Sequence, residues 1–340
     1  LDMFLSRGTK CLLFFAAGGG GDAATASMLS LAARRVGLKS FVASVIWERF
    51  VVDPVPGPIP FEEIVGGKII GNFSMLVNGF SKAFRGGREV IFQAAKTSMV
   101  LGEPIAVVDL VKGVYGVMKG LEEIMSYFGC ETVVTVDVGG DILATGFEDD
   151  LWSPLADFIG LAASASLNSV IAVHSPGSDG ELSQEYVLKR ISLVAENGGY
   201  LGARGVTKED VENLEKILEV VESEASRATL LAAKGVWGFT ALRKGSRESF
   251  ITPVNLLTFF LDAKTVASLN PVIKEINNCE EIECARKKLN SLCIFTELDL
   301  EEEVYKLIQK GVEINGNILV DIKKRFKSTC KTLTKQSSKP

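Results

Sequence analysis

Five places along the chain set polar, chemically able side chains directly after a short apolar run. They are Gly18, Gly19, Gly20, Gly21 and Asp22; Glu48 and Arg49; Asp109; Asp137 and Asp141 in "VDVGGD"; and His174, followed by Asp179 and Glu181, in "HSPGSDGE". Four glycines ahead of an alanine-rich segment leave backbone N–H groups bare at a helix N-terminus, an arrangement that suits phosphate. Two frames, Gly18-x-Gly20-x-x-Ala23 and Gly19-x-Gly21-x-x-Ala24, fit a loose dinucleotide fingerprint in which Glu48 would hold the ribose of a nucleotide or of NAD. Glu48 lies beyond the expected spacing of about 20 residues, and no Gly-Lys-Ser/Thr follows the glycines, which excludes a Walker A loop. Asp22 stands where an anion would bind. Either it is the N-cap of the helix, or it faces the pocket and the ligand arrives with a divalent cation or a positive group of its own.

Asp137 and Asp141 flank paired glycines, and two carboxylates across such a turn can share a hard cation such as Mg²⁺. The same residues also describe a tight turn in which Asp141 caps local backbone and Gly139 and Gly140 adopt positive φ. His174 is the only histidine of the chain. No Gly-x-Ser-x-Gly elbow precedes it, so a Ser-His-Asp triad is not expected, and its candidate roles are general base or ligand-binding imidazole.

These groups need a scaffold that brings strand ends together. "CLLFFAA", "SFVASVIW", "PIAVVD", "TVVTVD" and "SVIAVH" are strand candidates separated by helical segments, the signature of a mostly parallel sheet. In such sheets ligands bind outside the carboxyl ends of the strands, which is where the polar groups accumulate. "VYGVMKGLEEIMSYFG" reads as a helix closed by Gly129, and "SPLADFIGLAASASLN" as one with Ser153 as N-cap and Pro154 next. Beyond position 180 the chain becomes more helical, with "ELSQEYVLKRISLVAENGG" and a long amphipathic "TKEDVENLEKILEVVESEASRATLLAAKG" carrying a Thr207–Asp210 capping box. "VWGFTAL" and "LCIFTEL" are further strand candidates, the latter leading into the helix start "DLEEEVYKLIQKG". "VVDPVPGPIP" is too rich in proline for a helix or central strand and is expected to be an ordered loop.

At 340 residues, with mean hydropathy +0.23, the chain can bury a large core, yet its apolar runs are far shorter than a membrane span needs. Arg7 and Lys10 before an apolar run superficially describe a secretory signal, but the glycines leading into a helix make Cys11–Ala17 a first strand instead. Six cysteines without a CxxC pair suggest neither a zinc site nor a disulfide framework, and point to a reducing cytosol. A net charge of -5 argues against a general nucleic-acid binder. The local exception is the stretch from Lys323 to Lys339, with seven Lys or Arg and no acid, expected to be a solvated, disordered tail. No flexible linker interrupts the rest, so residues 1–322 are expected to form one large α/β domain and 323–340 the tail.

In order along the chain, "GGGGD", "WERFVVDPVPGP", "VDVGGDILATGFEDDLWSPLAD" and "GSDGEL" resemble the uncharacterised prokaryotic family known as domain of unknown function 1152. The resemblance extends to about residue 300, including "FTELD". It implies a Rossmann-like α/β fold and a shared site at these motifs, and no particular substrate.

The expectation is therefore a Rossmann-like α/β protein, with a mostly parallel sheet flanked by helices and a more helical C-terminal part. Its leading function is a Mg²⁺-dependent enzyme acting on a nucleotide or small phosphorylated metabolite by phosphoryl transfer or hydrolysis. In it Gly18 to Gly21 hold the anion, Arg49 neutralises it, and Asp137 and Asp141 recruit the metal. The alternatives are an NAD(P)-dependent oxidoreductase using Glu48 and His174, and a non-catalytic small-molecule-binding or assembly protein. A homo-oligomer is compatible with each.

Overall fold

The computed structural model describes residues 1–6, 8–50, 52–242 and 247–337. Among them the strands, in chain order, are β1 (Cys11–Ala16), β2 (Lys39–Val45), β3 (Ile64–Val65), β4 (Lys68–Ile69), β5 (Ser74–Val77), β6 (Lys82–Arg85), β7 (Arg88–Val90), β8 (Ile105–Val108), β9 (Thr132–Val138), β10 (Ser169–His174), β11 (Tyr200–Gly205), β12 (Gly238–Leu242), β13 (Arg247–Ile251) and β14 (Leu257–Asp262). Nine of them form one sheet in the order β11-β14-β10-β9-β1-β2-β8-β5-β4. Its middle, β10-β9-β1-β2-β8, is wholly parallel. Antiparallel strands extend it on both sides, β5 against β8 and β14 against β10.

The parallel core has the strand order of a Rossmann-like sheet: from β1 the chain winds outward through β2 and β8, then returns to the other side of β1 for β9 and β10. The reversal falls between β1 and β9, and this switch point is where such sheets open a crevice at the strands' carboxyl ends. All five parallel strands are those expected from the sequence.

The period-2 alternation of β1 divides its side chains between two cores. Leu13 and Phe15 pack on one face of the sheet with the helices Gly113–Phe128 and Pro154–Ala165. Leu12 and Phe14 pack on the other with the helices Gly20–Arg35 and Lys208–Leu218. Each such side chain, fully buried, contributes about 1.5–3 kcal/mol. Gly129 closes the helix Gly113–Phe128 in the left-handed conformation at φ 69°, and the Thr207–Asp210 capping box is present. The proline-rich segment is an ordered loop: buried Arg85 pairs with Asp53 at 2.7 Å and donates to the carbonyls of Val55 and Gly57 at 3.0 and 3.2 Å.

Other expectations give way. "LCIFTEL" is no strand, because Cys293 takes φ 64° and Thr296 already caps the helix Glu297–Gln309. "VWGFTAL" supplies β12, but in a separate two-stranded sheet, antiparallel to β13. The long amphipathic stretch breaks into Lys208–Leu218 and Glu224–Ala233, since Ser223 caps a new start by accepting from the Ser226 amide. Where a disordered tail was expected from residue 323, the helix Gly316–Ser337 continues, and Lys323 is buried, donating to the carbonyls of Asp149 and Leu151 at 2.7 and 2.6 Å. Residues 338–340 lie outside the described residues. The cysteine reading is overturned: all six are paired, as Cys11–Cys130, Cys279–Cys284 and Cys293–Cys330. Spacing along the chain could not show this, because Cys11 meets Cys130 only when β1 lies beside β9. The argument for a reducing compartment goes with it. Among the described residues, no helix is long and apolar enough to cross a membrane.

Candidate metal centre

The crevice between the ends of β1 and β9 is lined with carboxylates. Asp22 is the third residue of the helix Gly20–Arg35, whose N-cap is Gly19. Asp22 is therefore not the cap; it reaches back. Its Oδ2 accepts from the Gly18 amide at 2.6 Å and its Oδ1 from the Val138 amide at 2.9 Å, tying the two strand ends together. Burial pushes its carboxyl up to about 7, against the lowering effect of those two amides.

Asp137, next to the end of β9, is 1% exposed, and its Oδ2 has no hydrogen-bond partner. Asp157 lies in the first turn of the helix Pro154–Ala165, and its Oδ1 is likewise buried without a partner. Ligating oxygens of Asp22, Asp137 and Asp157 all lie within 4.8 Å of one another. Both Asp137 and Asp157 titrate well above the ordinary carboxylate range, first through burial and then through the charge of neighbouring acids. A buried, unpaired carboxylate costs several kcal/mol, so such a group holds a proton or meets a cation.

Two further acids adjoin this triangle. Gly139 and Gly140, at φ 115° and 109°, turn the chain so that Asp141 comes back within hydrogen-bonding reach of Asp137 and Asp179. Asp179 is anchored by the Glu181 amide, which donates to its Oδ1 at 3.0 Å, while its Oδ2 is unpartnered. Burial and Glu181 push the Asp179 carboxyl up to about 6.

Around the acids stand a cation and its holders. The Arg49 guanidinium lies over the Trp47 ring at 4.9 Å, and its Nη1 is 3.9 Å from Glu297 and 3.8 Å from Glu301. That Nη1 makes no hydrogen bond. Burial alone would lower the Arg49 pKa, but Glu297 and Glu301 outweigh it and raise it. Glu297 also takes the amides of Leu155 and Ala156 on its two oxygens at 2.9 Å each, so it caps the helix that carries Asp157. The expected cap, Ser153, makes no side-chain cap and instead donates to Glu181 at 2.6 Å.

The remaining sequence candidates are occupied elsewhere. Glu48 accepts from the Gln93 amide at 2.8 Å on its Oε1, capping the start of the helix Gln93–Leu101. Asp109 accepts from the Val111 amide at 3.0 Å and closes a local turn. Glu181 accepts from the amides of Trp152 and Ser153 and from Arg247 at 2.8 Å. His174 is sealed in the core, its two ring nitrogens bonded to Thr258 and Thr229 hydroxyls at 2.8 and 2.9 Å. It faces neither solvent nor the acids as a general base must. The metal pair expected at Asp137 and Asp141 is regrouped: Asp137 shares its triangle with Asp22 and Asp157, and Asp141 stands beside it.

Asp157 escaped the sequence reading, although one signal was available. It is a charged residue on a helix otherwise apolar or small and buried from Pro154 to Ser164. Glu297 left no comparable trace, since an acid at a helix start is ordinary.

The family model described as "Protein of unknown function (DUF1152)" matches residues 13–305. The chain belongs to this family. The DUF1152 match takes in Asp22, Arg49, Asp137, Asp141, Asp157 and Asp179, and ends within the helix Glu297–Gln309. The helix Gly316–Ser337 with Lys323 lies beyond it. No curated protein and no solved structure matches the chain.

Proposed function

We propose that this protein is a divalent-cation-dependent enzyme acting on a nucleotide or phosphorylated metabolite, by phosphoryl transfer or hydrolysis. The observation that carries the reading is the pair of buried oxygens without partners, Asp137 Oδ2 and Asp157 Oδ1, gathered with Asp22 at the switch point of a Rossmann-like sheet. An all-carboxylate donor set suits a hard cation, Mg²⁺ or Mn²⁺. The cation also resolves the conflict between Asp22 and the glycines. A bare anion would be repelled by Asp22, whereas one bridged by the metal gains from the adjoining helix start. There the first helical bond runs from the Ala23 amide to the Gly19 carbonyl, so the amides of Gly20, Gly21 and Asp22 have no intrahelical acceptor. The Arg49 Nη1, also without a hydrogen bond, supplies a further positive donor for a phosphoryl oxygen. The oxidoreductase alternative loses both supports, because Glu48 caps a helix and His174 is enclosed by threonines.

Thermal melting with Mg²⁺ or Mn²⁺, then with nucleotides and sugar phosphates added, tests the reading. A cation at 100 times its Kd stabilises by about 2.7 kcal/mol, a rise of several degrees. Asp137→Asn is expected to abolish this gain while leaving the metal-free melting point within a few degrees, since the amide keeps the shape of the side chain without a carboxyl that burial disfavours in its charged form. Phosphate release from stabilising ligands then reports turnover. Melting points unmoved by either cation in the unaltered protein would overturn the proposal.

A further inference from the structure

We infer that the Cys293–Cys330 disulfide is a redox latch: closed, it clamps the helix Gly316–Ser337 beside the carboxylate site and keeps cation affinity high; opened by a dithiol, it releases the helix and lowers that affinity. This rests on the reading of Asp22, Asp137 and Asp157 as a cation site. The helix grips both segments that fix the first turn of the helix Pro154–Ala165, where Asp157 sits. On one side, Lys323 donates to the Asp149 and Leu151 carbonyls at 2.7 and 2.6 Å and lies 4.3 Å from the Trp152 ring, two residues before that turn begins. On the other, Phe326 stands 5.2 Å from Phe295 and Cys330 is bonded to Cys293. Both contacts fall just ahead of Glu297, whose oxygens take the Leu155 and Ala156 amides.

Packing alone holds this helix lightly. Phe295, Leu300, Val304 and Ile322 are the buried members of a small cluster separate from the two cores of the sheet, and of these Ile322 alone comes from the helix, with Ile318, Leu319 and Phe326 half-buried against it. The latch is also the disulfide open to exchange. Cys293 and Cys330 are both partly exposed, whereas Cys11, Cys130 and Cys279 are buried. A cavity of about 170 Å³ reaches Cys293, with Lys323 and Lys327 in its lining, so a thiolate leaving from Cys293 forms beside cations that stabilise it. In the exchange, one thiolate of the dithiol attacks a latch sulfur and displaces the other as thiolate, and the second dithiol sulfur then resolves the mixed disulfide. Two electrons and two protons pass to Cys293 and Cys330, and the dithiol leaves as its own disulfide. Cys330 lies beyond residues 13–305, which match the family model, so the latch is built on a helix outside that shared framework.

The test is Mn²⁺ titration of the full-length protein oxidised, reduced with dithiothreitol under native conditions, and reoxidised, each sample freed of reagent and its open thiols mapped by alkylation. Cys293 and Cys330 are expected to be alkylated first. On reduction the Kd for Mn²⁺ is expected to rise roughly tenfold, as when an outer-shell support is lost. Trypsin should then cut within the helix Gly316–Ser337, and both changes should reverse on reoxidation. Cys330→Ser is expected to bind Mn²⁺ at the weaker level with or without dithiothreitol. One affinity in all three states, with Cys293 and Cys330 shown to open and reclose, would overturn the latch and leave the cation site standing. A response to dithiothreitol that persists in Cys330→Ser would also overturn it, by placing the effect at another disulfide. No Mn²⁺ binding in any state would remove the site and its regulation together.

Discussion

A methyl group at Gly18 would stand 2.4 Å from Asp22 Oδ2 and 3.3 Å from Asp157 Oδ1, so Gly18→Ala crowds two members of the carboxylate triangle. The expected result is loss of cation-induced stabilisation in thermal melting, with a further cost of about 1–3 kcal/mol for the forced packing. His174 acts through stability instead. Burial lowers its pKa from 6.5 to about 4, with the charge of Arg204 adding to the shift. The unfolded chain therefore takes up a proton that the folded one refuses, and stability falls as pH drops from about 6.5 to about 4. A shift of this size corresponds to on the order of 3 kcal/mol. His174→Asn is expected to lose that share of the acid slope while being less stable at pH 7 by about 1–3 kcal/mol, since hydroxyls of Thr229 and Thr258 lose a partner. Urea unfolding of both proteins between pH 4 and 8 checks it, and parallel curves would refute the assignment.

At the scale of elements, the helix Pro154–Ala165 holds Asp157 only as firmly as its first turn is held, and that turn is capped from far along the chain by Glu297. Glu297→Ala is expected to cost about 1–2 kcal/mol as a lost cap. It should also weaken cation binding by roughly tenfold, as the loss of an outer-shell support does. The control is Thr207→Ala, which removes the capping box of the helix Lys208–Leu218. It should cost about 1 kcal/mol and leave cation affinity unchanged. Equal effects of the two variants on Mn²⁺ titration would show that Glu297 has no special link to the centre. Caps of the second kind are visible in sequence, because Thr207 and Asp210 are three residues apart. Glu297 and Ala156 are not, because their partnership spans 141 positions.

For the whole molecule, the disulfides tie together segments at very different separations along the chain, 119, 5 and 37 residues. Cys293–Cys330 ties the helix Gly316–Ser337 to the segment just before Glu297, across a separation of 37 residues. Closing a loop of that size stabilises by on the order of 3–4 kcal/mol in the chain-entropy model. Cys330→Ser is expected to lower the melting point by several degrees, and thiol titration of the denatured, unreduced protein should find no free cysteine. Six titratable thiols without reductant would contradict the pairing.

The local physics of this chain is legible in its sequence. The short, mostly apolar and β-branched runs of β1, β2, β8, β9 and β10 suit a sheet buried on both faces, and the helices between them make it parallel. From that alone, Asp22, Arg49, Asp137 and the Asp179 loop belong at one edge. Folding decided which of the edge groups meet. Glu48, Asp109 and His174 have the same strand-end positions as Asp137, yet a nearby amide or hydroxyl takes up each of them. Asp137 and Asp157 keep an unpaired oxygen because the strand reversal between β1 and β9 brings three carboxylates into one buried space with too few donors. Unsatisfied valence of that kind depends on every neighbour in three dimensions, and no spacing along the chain encodes it.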